Sequence, residues 1–207
     1  MVVDVPARSE LVRRLPRLVP GLTFCGLGLA AMVRARLGLG PWEVLHQGLS
    51  NHTGIPIGTV GIGVGFLVLL GWIPHRQRLG VGTLCNVVWI GVVVDLVLGA
   101  THPPEAAWLR AALVVGGVVL FGIGSGLYIG AGLGAGPRDG LRTGLAGRRG
   151  RSIRSVRTII ELSALGAGWL LGGTIGVGTL LFAVGIGPLV QLFLGPLTMP
   201  TLTAPAE

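Results

Sequence analysis

The sequence predicts an all-α, polytopic membrane protein with about six transmembrane helices, arranged as two inverted three-helix repeats. Three observations predict this fold: the composition, six long apolar segments and an internal duplication. The 207 residues are 51% hydrophobic and only 12% charged, with a mean hydropathy of +0.78. Soluble domains carry about 25% charged residues, so this chain could not cover a folded surface with groups that water solvates. The composition therefore excludes the soluble enzyme classes.

The charged residues add further exclusions. All 16 basic residues are arginine, and the formal net charge is +8. Without lysine, the chain has no P-loop and no Schiff-base chemistry. The arginines lie between apolar segments, which is typical of membrane loops and argues against nucleic acid as a partner. Histidines and cysteines show no metal-ligand spacing, so we expect no metal site, no cofactor and no catalytic residues.

Six apolar segments are near the length of about 17 to 25 residues that a helix needs to cross the hydrocarbon core. They are 18–33, 57–73, 79–99, 108–129, 153–171 and 174–194. The first follows four arginines like a signal peptide, but it lacks a small-residue cleavage site, so we interpret it as a retained helix. The chain then divides into an Arg-rich tail (1–17), membrane repeat 1 (18–99), a linker (100–107), membrane repeat 2 (108–195) and a C-terminal tail (196–207).

The distribution of arginine predicts how the chain is oriented in the bilayer. Thirteen arginines lie on one side of the predicted bundle, in 1–17, 74–78 and 131–157. The opposite side holds three, which are Arg34, Arg36 and Arg110. Because arginine is enriched in cytoplasmic loops, we expect both termini in the cytoplasm and the 100–107 linker outside it.

The chain also contains an internal duplication. Shifting it by 96 residues aligns 21–99 with 117–195 without a gap, and about a third of the aligned pairs are identical. Each copy has three predicted spans, and an odd number of spans turns the second copy upside down relative to the first. Inverted repeats are a common architecture of secondary transporters.

In each copy the first span is followed by a Gly-x-Gly-Pro-x-acid segment, hereafter a Gly-Pro segment. These candidate solute-binding residues are Gly38, Gly40, Pro41 and Glu43 in copy one and Gly134, Gly136, Pro137 and Asp139 in copy two. Glycine permits a sharp turn, proline is favoured at the first position of a helix, and an acid in the first turn complements the helix dipole. Short helices are therefore predicted at 41–50 and 137–147. They are either re-entrant, with their N-termini forming a solute site, or interfacial connectors.

Two acidic residues lie within apolar segments. Glu161 is inside the fifth segment, where such a side chain usually has a partner or marks a transport pathway. Arg157 precedes Glu161 by four residues, on the same helix face, so the two form either a structural ion pair or part of a relay. Glu161 is therefore a further candidate solute-binding residue. Asp95, near the outer end of the third segment, is interpreted as an interface residue.

The segments 38–49 and 134–145, together with the Gly-Val-Gly-Thr-Leu sequences that begin at Gly80 and Gly176, resemble those of bacterial YczE/YyaS/YitT-type integral membrane proteins. The resemblance covers nearly the whole chain between its two tails. It implies a multipass protein of the bacterial inner membrane, with no catalytic residues to transfer.

Two functions fit these features. The first is a small permease, as a monomer or a homodimer, that moves a small solute or ion by alternating access between the repeats. The second is a non-transporting regulator whose Arg-rich loop at 148–157 binds anionic lipid headgroups or another protein. A membrane-embedded enzyme is disfavoured because no arrangement of side chains has an evident catalytic geometry.

Overall fold

The computed structural model describes residues 3–4, 8–73, 79–134, 136–138 and 152–199. The described residues form seven α-helices, which are α1 Arg8–Ala35, α2 Pro41–Thr53, α3 Ile57–Leu70, α4 Val81–Ala100, α5 Ala107–Gly130, α6 Ile153–Leu170 and α7 Val177–Leu197. Two short strands, β1 Val3–Asp4 and β2 Leu79–Gly80, pair in parallel. The fold is therefore helical, as the sequence predicts.

Four of these helices, α1, α4, α5 and α7, are long and apolar enough to cross a membrane. The pair α2 and α3 is bent by 115°, and it adds a fifth crossing if the two helices form one broken span. Alone, α3 has 14 residues, because the chain turns at Gly71 and Trp72. The 18 residues of α6 include Arg154, Arg157 and Glu161, which make it less apolar. Two of the six predicted spans therefore do not meet the criterion by themselves.

Arginine side chains cap helix C-termini at both ends of the bundle. α1 begins well before the predicted span, and its buried Arg14 donates to the first carbonyl after α5, at 2.8 Å. Arg110 donates to the last carbonyl of α1, at 2.7 Å. Arg17 and Arg34 reach the ends of α7 and α4 in the same way. The last carbonyls of a helix lack intrahelical donors and carry partial negative charge, so a guanidinium stabilises them.

The helices α1 and α5 pack against each other through glycines. A Cβ atom on Gly21 would lie 2.9 Å from the carbonyl oxygen of Gly124, and one on Gly28 would lie 2.5 Å from that of Gly117. Small residues at these positions let two membrane helices approach closely. Residue numbers rise along α1 as they fall along α5, so the two helices are antiparallel.

Apolar side chains form both the interior and much of the surface. One core cluster joins α1, α2, α5 and α7, and it contains Met32, Leu39, Val44, Val118, Phe182 and Ile186. Other large apolar side chains on α4 to α7 remain exposed, among them Leu96, Trp108, Leu170, Val177, Leu180, Val184 and Leu192. Such a surface is unfavourable in water, whereas lipid chains solvate it.

Asp95 of α4 caps the N-terminus of α3. Its Oδ1 accepts a hydrogen bond from the Gly58 N–H at 2.6 Å, and its Oδ2 accepts from the N–H and Oγ1 of Thr59, both at 2.7 Å. α3 follows Pro56 without a side-chain cap of its own, so its first N–H groups need an acceptor from elsewhere. Asp95 is thus a cap between helices, a more specific role than the interface residue that the sequence predicts.

We expect Asp95→Ala to lower the free energy of unfolding by about 1–2 kcal/mol, because the first donors of α3 lose their capping acceptor. The melting temperature of the purified protein in detergent measures this effect. Glu105→Ala, which removes an exposed carboxylate from the loop between α4 and α5, is the control and should leave the melting temperature unchanged. A melting temperature of Asp95→Ala equal to that of the wild type would contradict the capping role.

Candidate functional site

A cavity of about 390 Å³ lies between the two halves of the chain. The first half of the chain lines this cavity with helices α1 to α4. The second half lines it with α5, residues 136–138, α6 and α7. Its walls are mainly apolar, with converging polar side chains from Trp42, Glu43, His46, Asn86, Ser125, Tyr128, Arg138, Arg157, Glu161 and Gln191. A largely apolar cavity with a few converging polar groups is the usual form of a small-molecule site.

The first Gly-Pro segment brings the N-terminus of α2 to this cavity. Gly38 has a φ of +111°, which L side chains rarely adopt, and a Cβ there would lie 2.6 Å from the backbone nitrogen of Gly176. Pro41 begins α2, Glu43 lies in its first turn, and both line the cavity. α2 continues to Thr53, beyond the predicted end at 50. Gly38 therefore makes the turn that positions Pro41 and Glu43.

The second Gly-Pro segment has the same geometry as far as the structure describes it. Gly134 has a φ of +132°, and a Cβ there would lie 2.6 Å from Oγ1 of Thr83. Gly136 and Pro137 line the cavity, and the backbone is helical at Pro137 and at the next residue. Asp139 and the rest of the helix predicted at 137–147 lie outside the described residues.

The two Gly-Pro segments meet in an ion pair. Nη2 of Arg138 donates to Oε1 of Glu43 at 2.8 Å, and the guanidinium lies over the ring of Trp42, 5.0 Å from its centroid. Because Trp42 and Arg138 are 96 residues apart, they occupy the same position in the two copies. The Glu43 side chain is 5% exposed and that of Arg138 is 29% exposed. The pair thus joins the two copies through an occluded carboxylate and a partly accessible guanidinium.

Two buried polar atoms at the start of α2 have no hydrogen-bond partner among the described residues. They are Oε2 of Glu43 and Nε1 of Trp42. Gly40 adjoins the first of them, since a Cβ on Gly40 would lie 2.6 Å from Oε2. Buried polar groups are normally paired, so these atoms mark a place where a solute, a proton or a change of conformation would supply a partner.

A second ion pair lines the same cavity. Nε of Arg157 donates to Oε1 of Glu161 at 3.1 Å, one helical turn away on α6. The side chains are 47% and 28% exposed, so the pair contributes only about 0–1 kcal/mol to stability. The structure therefore brings Glu161 to the cavity that receives both Gly-Pro segments.

Arg138, Trp42 and His46 are site residues that the sequence did not single out. The charge distribution places Arg138 among the cytoplasmic arginines, and Trp42 matches the aromatic residues of a membrane interface. The duplication contained a usable signal, because Trp42 and Arg138 each follow the proline of a Gly-Pro segment. A contact between the two segments would bring those two positions together.

The structure describes the predicted Arg-rich loop at 148–157 only from residue 152 onward. Residues 148–151 of the loop at 148–157 lie outside the described residues, whereas Arg154 and Arg157 are exposed on α6.

In the part of the chain that the structure describes, no three His, Cys, Asp or Glu side chains are grouped as a metal site requires.

Long apolar helices around a cavity with polar groups define a polytopic α-helical membrane protein. The chain belongs to a family of unknown function (DUF6198) whose sequence profile matches residues 12–195, and to the YczE-type bacterial membrane proteins. The resemblance that the two Gly-Pro segments suggested is confirmed.

Three relatives extend over most of the chain. An uncharacterized protein of Haemophilus influenzae is 41% identical over 177 residues, which are 86% of this chain and 81% of the relative. The uncharacterized membrane protein YczE of Bacillus subtilis is 35% identical over 191 residues, covering 90% of this chain and 88% of YczE. The uncharacterized protein YyaS of the same bacterium is 26% identical over 181 residues, covering 84% and 89%. No solved structure matches the chain.

Proposed function

We propose that the protein is a small permease of the bacterial inner membrane, which moves a small solute or ion by alternating access between two inverted repeats. One observation carries the proposal: Gly-Pro segments 96 residues apart reach a single cavity and are joined there by Glu43 and Arg138. In secondary transporters, solute sites lie at the interface between repeats, with helix N-termini directed at them.

Two equivalent backbone hydrogen bonds between the halves support a two-fold relation between them. The Gly82 N–H donates to the carbonyl of Leu133, and the Gly178 N–H donates to that of Leu37, both at 2.8 Å. Each bond is the counterpart of the other, because Gly178 and Leu133 follow Gly82 and Leu37 by 96 residues. Reciprocal contacts of this kind are what a two-fold axis produces.

The direction of the helices supports an inverted arrangement. α1 and α5 are counterparts in the duplication, and they pack antiparallel through their glycines. A two-fold axis along the membrane normal would make counterpart helices parallel, whereas an axis in the membrane plane makes them antiparallel. The two Gly-Pro segments would then enter the bilayer from opposite sides.

The burial of α2 supports a re-entrant position over an interfacial one. Its first half is largely buried, including Trp42, Glu43, Val44, His46 and Gly48, while its last turn is exposed. Helices that do not span are tolerated at membrane depth where they are buried in protein or line a cavity, and α2 does both. With α2 re-entrant, α3 and its counterpart α6 are taken as crossings beside α1, α4, α5 and α7, so the proposed bundle has six crossings.

The inverted topology predicts that two equivalent positions face opposite compartments. His52 and Arg148 are 96 residues apart, and cysteine can be placed at either one after Cys25 and Cys85 are replaced by alanine. With both termini in the cytoplasm, a membrane-impermeant maleimide should label the His52→Cys variant in intact cells and the Arg148→Cys variant only after permeabilisation. Labelling of both variants from the same side would overturn the inversion.

Reconstituted vesicles test transport. Light scattering follows the swelling of proteoliposomes in a panel of small anions, cations and neutral solutes. We expect vesicles with the wild type to admit one of these classes of solute. Vesicles with Glu43→Gln/Arg138→Gln should swell at least about tenfold more slowly, because the central ion pair is lost. The double substitution leaves neither charge unpaired, so the variant should still fold. Glu105→Gln is the control and should match the wild type. Swelling of wild-type vesicles no faster than that of empty liposomes for every solute would contradict the proposal.

A further inference from the structure

We infer that the solute is a small organic anion whose charged group takes the place of Glu43 on Arg138, and that Glu43 takes up a proton in the exchange. This inference rests on the proposed function, because it assigns a solute class and a coupling ion to the same cavity.

The two members of the central pair differ in how far the cavity reaches them. Oε2 of Glu43 is closed to water and its side chain is 5% exposed, whereas Arg138 is 29% exposed. Both side chains line the cavity, and the guanidinium is the more exposed of the two to a solute. An anion can compete with Glu43 for Arg138, and a cation has no comparable route to Glu43. Guanidinium groups also bind carboxylates in a planar, bidentate geometry.

Trp42 keeps the guanidinium in place during such an exchange. The Arg138 guanidinium lies 5.0 Å from the centroid of the Trp42 ring, a cation–π contact that does not depend on Glu43. Arg138 would thus remain positioned as an anion receptor after the carboxylate leaves.

The charges that line the cavity favour an anion once Glu43 is neutral. The described charged side chains in the lining are Glu43, Arg138, Arg157 and Glu161, which cancel when His46 is neutral. Protonation of Glu43 leaves one net positive charge. The N-terminus of the 13-residue helix α2, which also faces the cavity, adds partial positive charge.

The other side chains that line the cavity indicate which uncharged group the solute carries. They are mainly apolar, with Leu29, Val33, Phe121, Phe182, Ile186 and Val190 among the lining side chains. Such walls suit a hydrocarbon or aromatic group more than a fully hydrated inorganic ion. The cavity therefore fits a monocarboxylate with an apolar body.

Proton uptake by Glu43 follows from burial. When an anion holds Arg138, an ionised Glu43 would be left buried without a cation, which is strongly unfavourable. A proton on Oε2, which has no hydrogen-bond partner among the described residues, removes that charge and needs almost no room. One proton therefore enters with each anion, and the site returns to neutrality. Among the described residues, the other titratable side chains that line the cavity are Cys25, His46, Tyr128, Arg157 and Glu161.

Ligand-dependent thermal stability of the purified full-length protein tests the assignment. The probes are benzoate and benzylammonium, which share an aromatic body and differ in charge. We expect benzoate to stabilise Glu43→Gln at a concentration about tenfold lower than it needs to stabilise the wild type. In this variant the Glu43 carboxylate no longer competes with benzoate for Arg138. Glu43→Gln/Arg138→Gln should not respond.

Two results in that assay would overturn the inference. One is a benzoate response that is equal in Glu43→Gln and Glu43→Gln/Arg138→Gln, including no response in either. The other is a stabilisation of the wild type by benzylammonium that Glu43→Gln abolishes, because it would show that cations bind Glu43.

A pH indicator in weakly buffered solution tests the proton. Benzoate binding to the wild type should take up about one proton per anion, and binding to Glu43→Gln should take up none. Equal uptake by both proteins would exclude Glu43 as the proton site.

Benzoate flux into proteoliposomes separates this inference from the proposed function. Binding through Arg138 without flux would leave the anion site in place and remove the permease. Flux of only cations or neutral solutes would leave the permease in place and remove the anion site.

Discussion

Arg138→Gln is expected to lower the free energy of unfolding by about 2–4 kcal/mol, because it leaves the Glu43 carboxylate buried without a cation. Removing one partner of a fully buried pair costs about 3–5 kcal/mol, and the partial exposure of Arg138 reduces the effect here. The substitution also removes the guanidinium from the ring of Trp42. The melting temperature in detergent and the yield of folded protein measure the loss.

The double variant Glu43→Gln/Arg138→Gln separates the unpaired charge from other effects. Neutralising Glu43 as well should recover most of the lost stability, because no buried charge then lacks a partner. Arg157→Gln is the control at the second pair, where both side chains are more exposed and the loss should stay near 0–1 kcal/mol, about the value for surface pairs. If the double variant melts no higher than Arg138→Gln, the carboxylate is not the source of the instability.

The sequence was sufficient to predict the elements that depend on composition and on local backbone chemistry. An apolar chain with few charges must fold in lipid, and the helices follow the apolar segments that it contains. Proline after glycine predicts the start of α2 at Pro41, because the ring fixes a helical φ and lacks an N–H. These inferences depend only on neighbours in the chain.

The central pair could not be predicted in that way, because Glu43 and Arg138 are 95 residues apart and become neighbours only through packing between the two copies. Without that packing, Arg138 has the appearance of one more arginine in a basic loop. Arg14 and Arg110 are similar, because the carbonyls that they cap belong to helices remote in sequence. The side chains that matter most for the site are thus positioned by packing, which the local sequence does not encode.

Alternating access depends on how the two repeats contact each other, and the glycines of α1 and α5 form one close part of that contact. At Gly117, a Cβ would lie 2.7 Å from the carbonyl oxygen of Gly28 and 2.9 Å from Cγ of Met32. At the adjacent Gly116, a Cβ would meet nothing within 4 Å. The two neighbouring glycines therefore form a matched pair, one within the contact and one outside it.

Gly117→Val should reduce the free energy of unfolding by about 3 kcal/mol, because the backbones of α1 and α5 must separate to admit the side chain. Gly116→Val should leave stability nearly unchanged, since its side chain extends into open space. Thermal melting and size-exclusion profiles of the two variants in the same detergent measure the difference. Equal melting temperatures would show that the close approach of α1 and α5 does not hold the protein together.

The proposed two-fold relation extends this prediction to Gly21, the counterpart of Gly117 in the first copy. A Cβ there would lie 2.8 Å from the backbone nitrogen of Tyr128 and 2.9 Å from the carbonyl oxygen of Gly124, so Gly21→Val should destabilise the protein about as much as Gly117→Val. Because both substitutions separate the same two helices, their effects in the double variant should sum to less than the two separate losses. A silent Gly21→Val beside a damaging Gly117→Val would mean that the halves do not contact each other as counterparts.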